Sequence, residues 1–273
     1  MARERPDWEW YQRSSELVAA GDVDAAERVV TEAFEAGHLW RVSLLTAPTL
    51  ERLHGRPEFE RIAAEARRRA EEKHLRPLVL IANPPRRGRG MAPLLLVLHG
   101  ATGNAAIELE RWRPATELGF VVAAGQSSQP ATEDGYCWDP PRERVWQDLR
   151  AISAGLPPHA RVVLAGFSQG AWVALNAALR ADLFPAGGVI MVGPFAGSPD
   201  NLEPAARRLR IAIIAGAEDT YLDGLEALVR TLRERGHHVS FEVIAGLGHA
   251  YPPDFPVRLR QAMTTTSSSS SSQ

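Results

Sequence analysis

Between Pro93 and His99 the chain reads Pro-Leu-Leu-Leu-Val-Leu-His, with five large apolar residues in unbroken succession. A strand with one wet face alternates apolar and polar residues. An unbroken run of this length, closed by a turn, marks a strand covered on both faces. Such sheets are made by alternating strands with helices, and that alternation continues from Arg76 onward. Strand-like runs cover 77–82, 119–124, 161–165, 187–192, 210–215 and 238–244. Helical stretches cover 105–118, 143–154, 171–180, 222–235 and 255–263. The expectation is an α/β domain over residues 76–263, with a mostly parallel sheet flanked by helices. Ligands of such sheets sit beyond the carboxyl ends of the strands, so the chemistry belongs there.

Residues 1–75 follow a different period. Trp8, Tyr11, Ser15 and Val18 recur at helical spacing and stop at Gly21. Asp22 then caps a second helix, 23–36, which ends at Gly37. A third helical stretch, 39–53, is interrupted near Pro48, and a fourth runs from Pro57 to about 74. The wording of 17–27 resembles a tetratricopeptide-like helical hairpin, although an array needs more units than 75 residues hold. The expectation is a small all-helical subdomain that caps the main domain. A protein partner or self-association through 1–75 is the alternative. Residues 264–273, almost all Thr and Ser, read as a disordered tail.

Charge and cysteine content narrow the function classes. Lys plus Arg number 31 against 33 Asp plus Glu, so no global field favours nucleic acid, an anionic membrane or an acidic substrate. Arg67, Arg68 and Arg69 lie among glutamates in a helical pattern and read as a solvated face. The arginines of 86–90 read as a turn. Cys137 is the only cysteine, which rules out an intrachain disulfide and a zinc-binding cysteine pair. The first ten residues hold no apolar signal region, and no segment reaches membrane-spanning length. A cytoplasmic protein is the expectation. No metal or organic cofactor is implied.

Gly166-Phe167-Ser168-Gln169-Gly170 reads G-x-S-x-G between a strand-like run and a helix-forming run. A sharp turn there lifts a serine hydroxyl clear of the sheet. The plainer alternative is a serine that caps an ordinary helix. A serine hydroxyl needs a base within hydrogen-bond reach to act as a nucleophile. Of the eight histidines, His249 follows the last strand in a glycine-rich loop. His237 and His238 precede that strand and read as surface residues. His38, His54 and His74 belong to the helical region, and His159 precedes the elbow strand. The base in turn needs a carboxylate to orient it. Asp219 follows the strand ending at 215, with Glu218 and Asp223 as competitors. Each has the alternative role of a first-turn acid before Leu222. An oxyanion needs two backbone donors. Gln169 supplies one, and the loop after His99 supplies the other, Ala101 ahead of Thr102. His99 itself reads as a structural prop for that loop. The long segment 125–141 reads as a functional loop. Thr102, Tyr136 and Trp138 are the candidate substrate-binding residues.

Leu98-His99-Gly100-Ala101, the Gly166–Gly170 pentapeptide, Gly216-Ala217-Glu218-Asp219 and Gly248-His249 together resemble an α/β-hydrolase of the phospholipase/carboxylesterase and acyl-protein thioesterase group. The order Ser168, Asp219, His249 is the order expected of α/β-hydrolases. Residues 126–129 and 137–139 resemble the loop lining the acyl site in that group. The resemblance implies hydrolysis of a small carboxylic ester or thioester through an acyl-enzyme, without metal or cofactor. The helices of 1–75 depart from the family's single-domain pattern. A peptidase, an acyltransferase with the same triad, and a hydrolase-fold scaffold that recruits a partner are the rivals.

Overall fold

The computed structural model describes residues 6–38, 42–72, 76–84, 91–132, 134–139, 142–195 and 197–267. The expected turn at 86–90, His74, residues 39–41 and the tail from 268 lie outside the described residues.

The α/β region holds nine strands, β1 (Leu78–Ala82), β2 (Leu94–Leu98), β3 (Val121–Gln126), β4 (Gln129–Pro130), β5 (Tyr136–Cys137), β6 (Val162–Phe167), β7 (Gly188–Val192), β8 (Arg210–Gly216) and β9 (His238–Ile244), among the described residues. Seven of them form one sheet in the order β1-β3-β2-β6-β7-β8-β9. Within that sheet β1 is antiparallel to β3 and every other pairing is parallel, while β4 and β5 pair antiparallel in a separate two-stranded sheet. β2 lies inside the sheet, and all five of its residues are buried. Successive side chains of a strand point to opposite faces. Leu94, Leu96 and Leu98 accordingly join one apolar cluster, while Leu95 and Val97 join another.

Helices cover both clusters. α5 (Ala105–Trp112) and α9 (Phe255–Ser267) contribute Trp112, Phe255 and Leu259 to the second cluster. α6 (Arg142–Ala154), α7 (Ser168–Arg180) and α8 (Leu222–Glu234) contribute Leu149, Leu175 and Leu228 to the first. The stretch 105–118 is helical as expected, but its second half is a 3-10 segment, Arg113–Leu118, opening with Pro114 at its start. Proline lacks the N–H an α-helix interior needs, so the α-helix ends before it.

The expected tail from Thr264 requires correction. α9 continues to Ser267. Thr266 is 5% exposed, and its hydroxyl donates to the Ala262 carbonyl at 2.9 Å. It packs onto the bare Cα of Gly188, where an added Cβ would meet Thr266 Cβ at 2.8 Å. Composition alone marked these residues as a disordered tail; the partner of Thr266 is a glycine 78 positions earlier in the sequence.

The N-terminal region consists of α1 (Pro6–Ala20), α2 (Val23–Glu35), α3 (Val42–Leu45), a 3-10 segment Pro48–Leu53 and α4 (Pro57–Glu72). Asp22 caps α2 by accepting from the Ala25 N–H at 3.1 Å. The third stretch is only one α-turn plus the 3-10 segment, because Pro48 interrupts it. The unit has an apolar core of its own, built around Val30, Leu50, Leu53, Phe59 and Ile62. Arg68 and Arg69 pair with Glu65 on the exposed face of α4, as a solvated face requires.

Candidate active site

Ser168 is the first residue of α7, directly after β6. Its φ is 50°, a left-handed conformation that non-glycine residues avoid. Holding it there costs about 1–3 kcal/mol, supplied by the surrounding packing. The turn is so tight that a Cβ on Gly166 would lie 2.6 Å from the Gly170 carbonyl carbon.

His249 reaches Ser168 from the loop after β9. Its Nε2 lies 2.9 Å from Ser168 Oγ, and its Nδ1 lies 2.9 Å from Asp219 Oδ2. The Asp219 side chain is fully buried, and that of His249 is 30% exposed. The other Asp219 oxygen, Oδ1, accepts from the Tyr221 N–H at 3.0 Å. A carboxylate buried this way is held by two partners and has one orientation. Among the described residues, the acid that pairs with His249 is Asp219 and not Glu218 or Asp223. The two loops are joined by backbone: Glu218 N–H donates to the Leu247 carbonyl at 2.9 Å, and Ala217 N–H to Ile244 at 2.8 Å.

Ala101 and Gln169 both line the cleft with Ser168. Neither of their N–H groups has an acceptor among the described residues. Gln169 is second in α7, one of the amides that a helix start leaves open. Thr102 also lines the cleft, at φ 60°, with its hydroxyl donating to the Ala101 carbonyl at 2.7 Å.

His99 supports this loop from beneath. The Ser127 N–H donates to His99 Nε2 at 3.2 Å, so Nδ1 carries the proton and donates to the Gly100 carbonyl at 2.8 Å. Burial lowers its pKa to about 4, which keeps the ring neutral. Trp138 stacks on it at 4.9 Å and donates from Nε1 to the His99 carbonyl at 2.9 Å.

Trp138 lines the cleft, although it is only 4% exposed. Tyr136 is not among the cleft-lining residues. Its backbone is held in a bridge to Gly103, donating to the Gly103 carbonyl at 2.8 Å, and its ring packs edge-on to His99. Tyr136 thereby braces the 100–104 loop. His237, read as a surface residue, is 5% exposed and accepts from the Leu209 N–H. Cys137 is buried.

Three contributions escape a reading by motif. The Gln169 side chain ties the elbow to the long loop: its carbonyl accepts from Trp138 N–H at 2.8 Å, and its amide donates to Asp139 at 2.9 Å. Tyr221 sets its ring edge against His249 at 5.2 Å. Gly193 lies where a Cβ would be 3.7 Å from both Asp219 Oδ2 and His249 Nδ1. A small residue at the end of β7 was the only signal for the last of these.

The cleft has a volume of about 2100 Å³. Sites for drug-sized ligands usually hold roughly 300–1,000 Å³. Part of the excess comes from the N-terminal helices, because Tyr11, Gln12, Leu44 and Pro48 form a wall of the same cleft. Among the described residues no group of three or more His, Cys, Asp or Glu is gathered as a metal ion would need. No helix of the described residues is long and apolar enough to cross a membrane.

Comparison with known proteins agrees with this architecture. Residues 143–266 match the family described as Phospholipase/Carboxylesterase, a stretch that contains Ser168, Asp219 and His249. No curated sequence matches the chain significantly. Among solved structures, an uncharacterized protein from Bacillus cereus ATCC 10987 is similar over 97% of this chain and 89% of its own, at 22% identity and a TM-score of 0.58. The esterase PE8 is similar over 69% of this chain and 100% of its own, at 22% identity and a TM-score of 0.57. Est1E from Butyrivibrio proteoclasticus, solved with ferulic acid bound, covers 69% of this chain and 93% of its own, at 15% identity and a TM-score of 0.51. At such identities the likeness is one of fold. The chain has the α/β-hydrolase fold, and its residues 143–266 match the phospholipase/carboxylesterase family.

Proposed function

We propose that the protein hydrolyses carboxylic esters, thioesters included, through an acyl-enzyme on Ser168. The observation that carries this reading is the pair of 2.9 Å contacts that join Ser168 Oγ to His249 and His249 to Asp219. Ser168 Oγ attacks the ester carbonyl while its proton passes to His249 Nε2. Asp219 stabilises the imidazolium and fixes the ring, without taking the proton. The carbonyl oxygen becomes an oxyanion and accepts from the Ala101 and Gln169 N–H groups. Loss of one such donor typically costs about 3–4 kcal/mol of transition-state stabilisation. The tetrahedral intermediate collapses, the alcohol leaves with the proton from His249, and the acyl group stays on Ser168. Water, deprotonated by His249, then attacks the acyl-enzyme. The carboxylic acid leaves and Ser168 regains its proton.

The Phospholipase/Carboxylesterase match and the fold shared with esterases support ester hydrolysis as the chemistry. The N-terminal wall supports a substrate larger than a short-chain ester. The test is labelling with a fluorophosphonate probe, together with hydrolysis of p-nitrophenyl butyrate. We expect stoichiometric labelling at Ser168 and a loss in kcat of about 10⁴-fold or more in Ser168→Ala. Hydrolysis by the alanine variant at the wild-type rate sinks the proposal.

A further inference from the structure

Glu108 is a charged residue in an unusual place. It sits in α5 and is 1% exposed, yet no triad member touches it. A carboxylate loses its hydration on burial and persists there only with strong partners. Glu108 has three. Tyr251 donates its hydroxyl proton to Oε2 at 2.5 Å, and Trp112 Nε1 donates to the same oxygen at 3.1 Å. Arg111 Nη1 approaches Oε1 at 3.3 Å. The Trp112 indole N–H also lies 2.9 Å from the Tyr251 hydroxyl.

Tyr251 stands two residues beyond His249 in the same loop. Its ring stacks on Phe167 at 4.7 Å and 22°, and Phe167 is the residue before Ser168. Phe167 in turn lies 5.1 Å from the His249 ring. The Arg111 guanidinium sits over the Tyr251 ring at 4.7 Å. One aromatic side chain thereby touches the segment carrying the nucleophile and belongs to the segment carrying the base. Its hydroxyl is pinned by a buried anion on a third element, 143 positions away in sequence. Burial and the adjacent carboxylate both hold the Tyr251 hydroxyl far above the usual phenol range, so it remains a donor.

We infer that Glu108 and Tyr251 are positioning residues for the reaction: the buried carboxylate anchors the Tyr251 hydroxyl, and Tyr251 sets the distance and angle at which His249 meets Ser168. A plain packing role would need only the ring. An anchor needs the hydroxyl and the charge. Proton transfer between Ser168 and His249 depends on geometry used in the transition state and not in substrate binding. The anchor should therefore act on kcat and leave KM alone. This inference rests on the esterase reading of Ser168 and His249.

The experiment compares wild type, Tyr251→Phe, Glu108→Gln and the double variant, with Ser168→Ala as reference. Steady-state hydrolysis of p-nitrophenyl butyrate, the rate of fluorophosphonate labelling at Ser168 and the melting temperature are measured for each. Tyr251→Phe keeps the ring and removes only the hydroxyl. The expected result is a fall in kcat of about tenfold to a hundredfold, with KM within twofold and a matching slower labelling rate in folded protein. Glu108→Gln should do the same, and the double variant should be no worse than either single one, because both break one anchor. The inference is overturned if either folded variant keeps kcat within twofold of wild type, if the loss lies in KM, or if the two losses multiply. Should one variant not fold, the other decides by the same criteria. A wild-type protein that neither labels nor hydrolyses would count against the esterase reading, whereas an active wild type with an unimpaired Tyr251→Phe would count against the anchor alone.

Discussion

Gly170 lies against the His99 carbonyl so closely that a Cβ on it would stand 2.3 Å from that oxygen, and equally close to the Leu98 carbonyl. The start of α7 therefore rests directly on the end of β2, and the loop after His99 is held at the level of Ser168 by backbone contact. Gly170→Ala should displace the elbow from the loop, with a stability loss of about 3 kcal/mol or more and loss of Ser168 labelling. Gly187→Ala is the control, since no atom lies within 4 Å of a Cβ there. Its melting temperature should match wild type within measurement error. Equal tolerance of the two substitutions in thermal melts would show that the close approach is not rigid.

Asp219→Asn tests the orientation of the base. The amide keeps the volume, but it presents an N–H where His249 Nδ1 must donate, and so favours the wrong tautomer. We expect kcat to drop by about 10³–10⁴-fold with little change in melting temperature. Kinetics across pH 6–9 will check this, and a loss under tenfold would assign the orienting role elsewhere.

His99 predicts a pH dependence of stability. Its native pKa is lowered to about 4 by burial, against an ordinary value of 6.5. The unfolded chain therefore binds a proton that the folded chain refuses between these values. Stability is full above about pH 6.5 and falls as the pH drops towards about 4, by roughly 3 kcal/mol in total from this group. His237, also lowered by burial, acts in the same direction. His99→Asn should be less stable than wild type at pH 7, and that gap should narrow by about 2 kcal/mol at pH 5. Urea unfolding at both pH values measures it; a gap that stays constant would mean that His99 is not buried neutral.

The wall contributed by the N-terminal helices can be tested without removing them. Gln12 is exposed and lines the cleft from α1. Gln12→Trp should narrow the cleft and raise KM for bulky aryl or long-chain esters several-fold, while kcat/KM for p-nitrophenyl acetate stays within twofold. If both substrate classes respond alike, the helices do not shape the substrate.

The central strands, the elbow and the helices were legible because the signals are local. An unbroken apolar run such as 94–98 and a G-x-S-x-G at 166–170 need no knowledge of distant contacts. Asp219 and His249 were legible only as candidates, from their places after β8 and β9. That they meet is a matter of sheet order, and nothing in the sequence prints sheet order. The contact of Tyr136 with Gly103 and His99 was not legible, because an aromatic residue in a long loop looks the same whether it faces a cleft or props a neighbouring turn. Thr266 was misjudged because its burial depends on Gly188. Glu108 carried no signal at all, since an acid four positions before Trp112 on a helix is ordinary until Tyr251 arrives from the far end of the chain.

β9 is the outermost strand on its side of the sheet, and its residues are all partly or fully exposed. It also delivers His249. Strands at such margins open locally at lower free energy than the interior of a sheet. His249, which meets Ser168 Oγ, thus follows a marginal strand, while Ser168 follows β6, a strand paired on both sides. On the proposed mechanism, denaturing stress should free His249 before it disturbs Ser168. Catalysis should fade over a denaturant range in which circular dichroism still reports an intact protein, and activity becomes a gauge of one margin of the molecule, not of the whole.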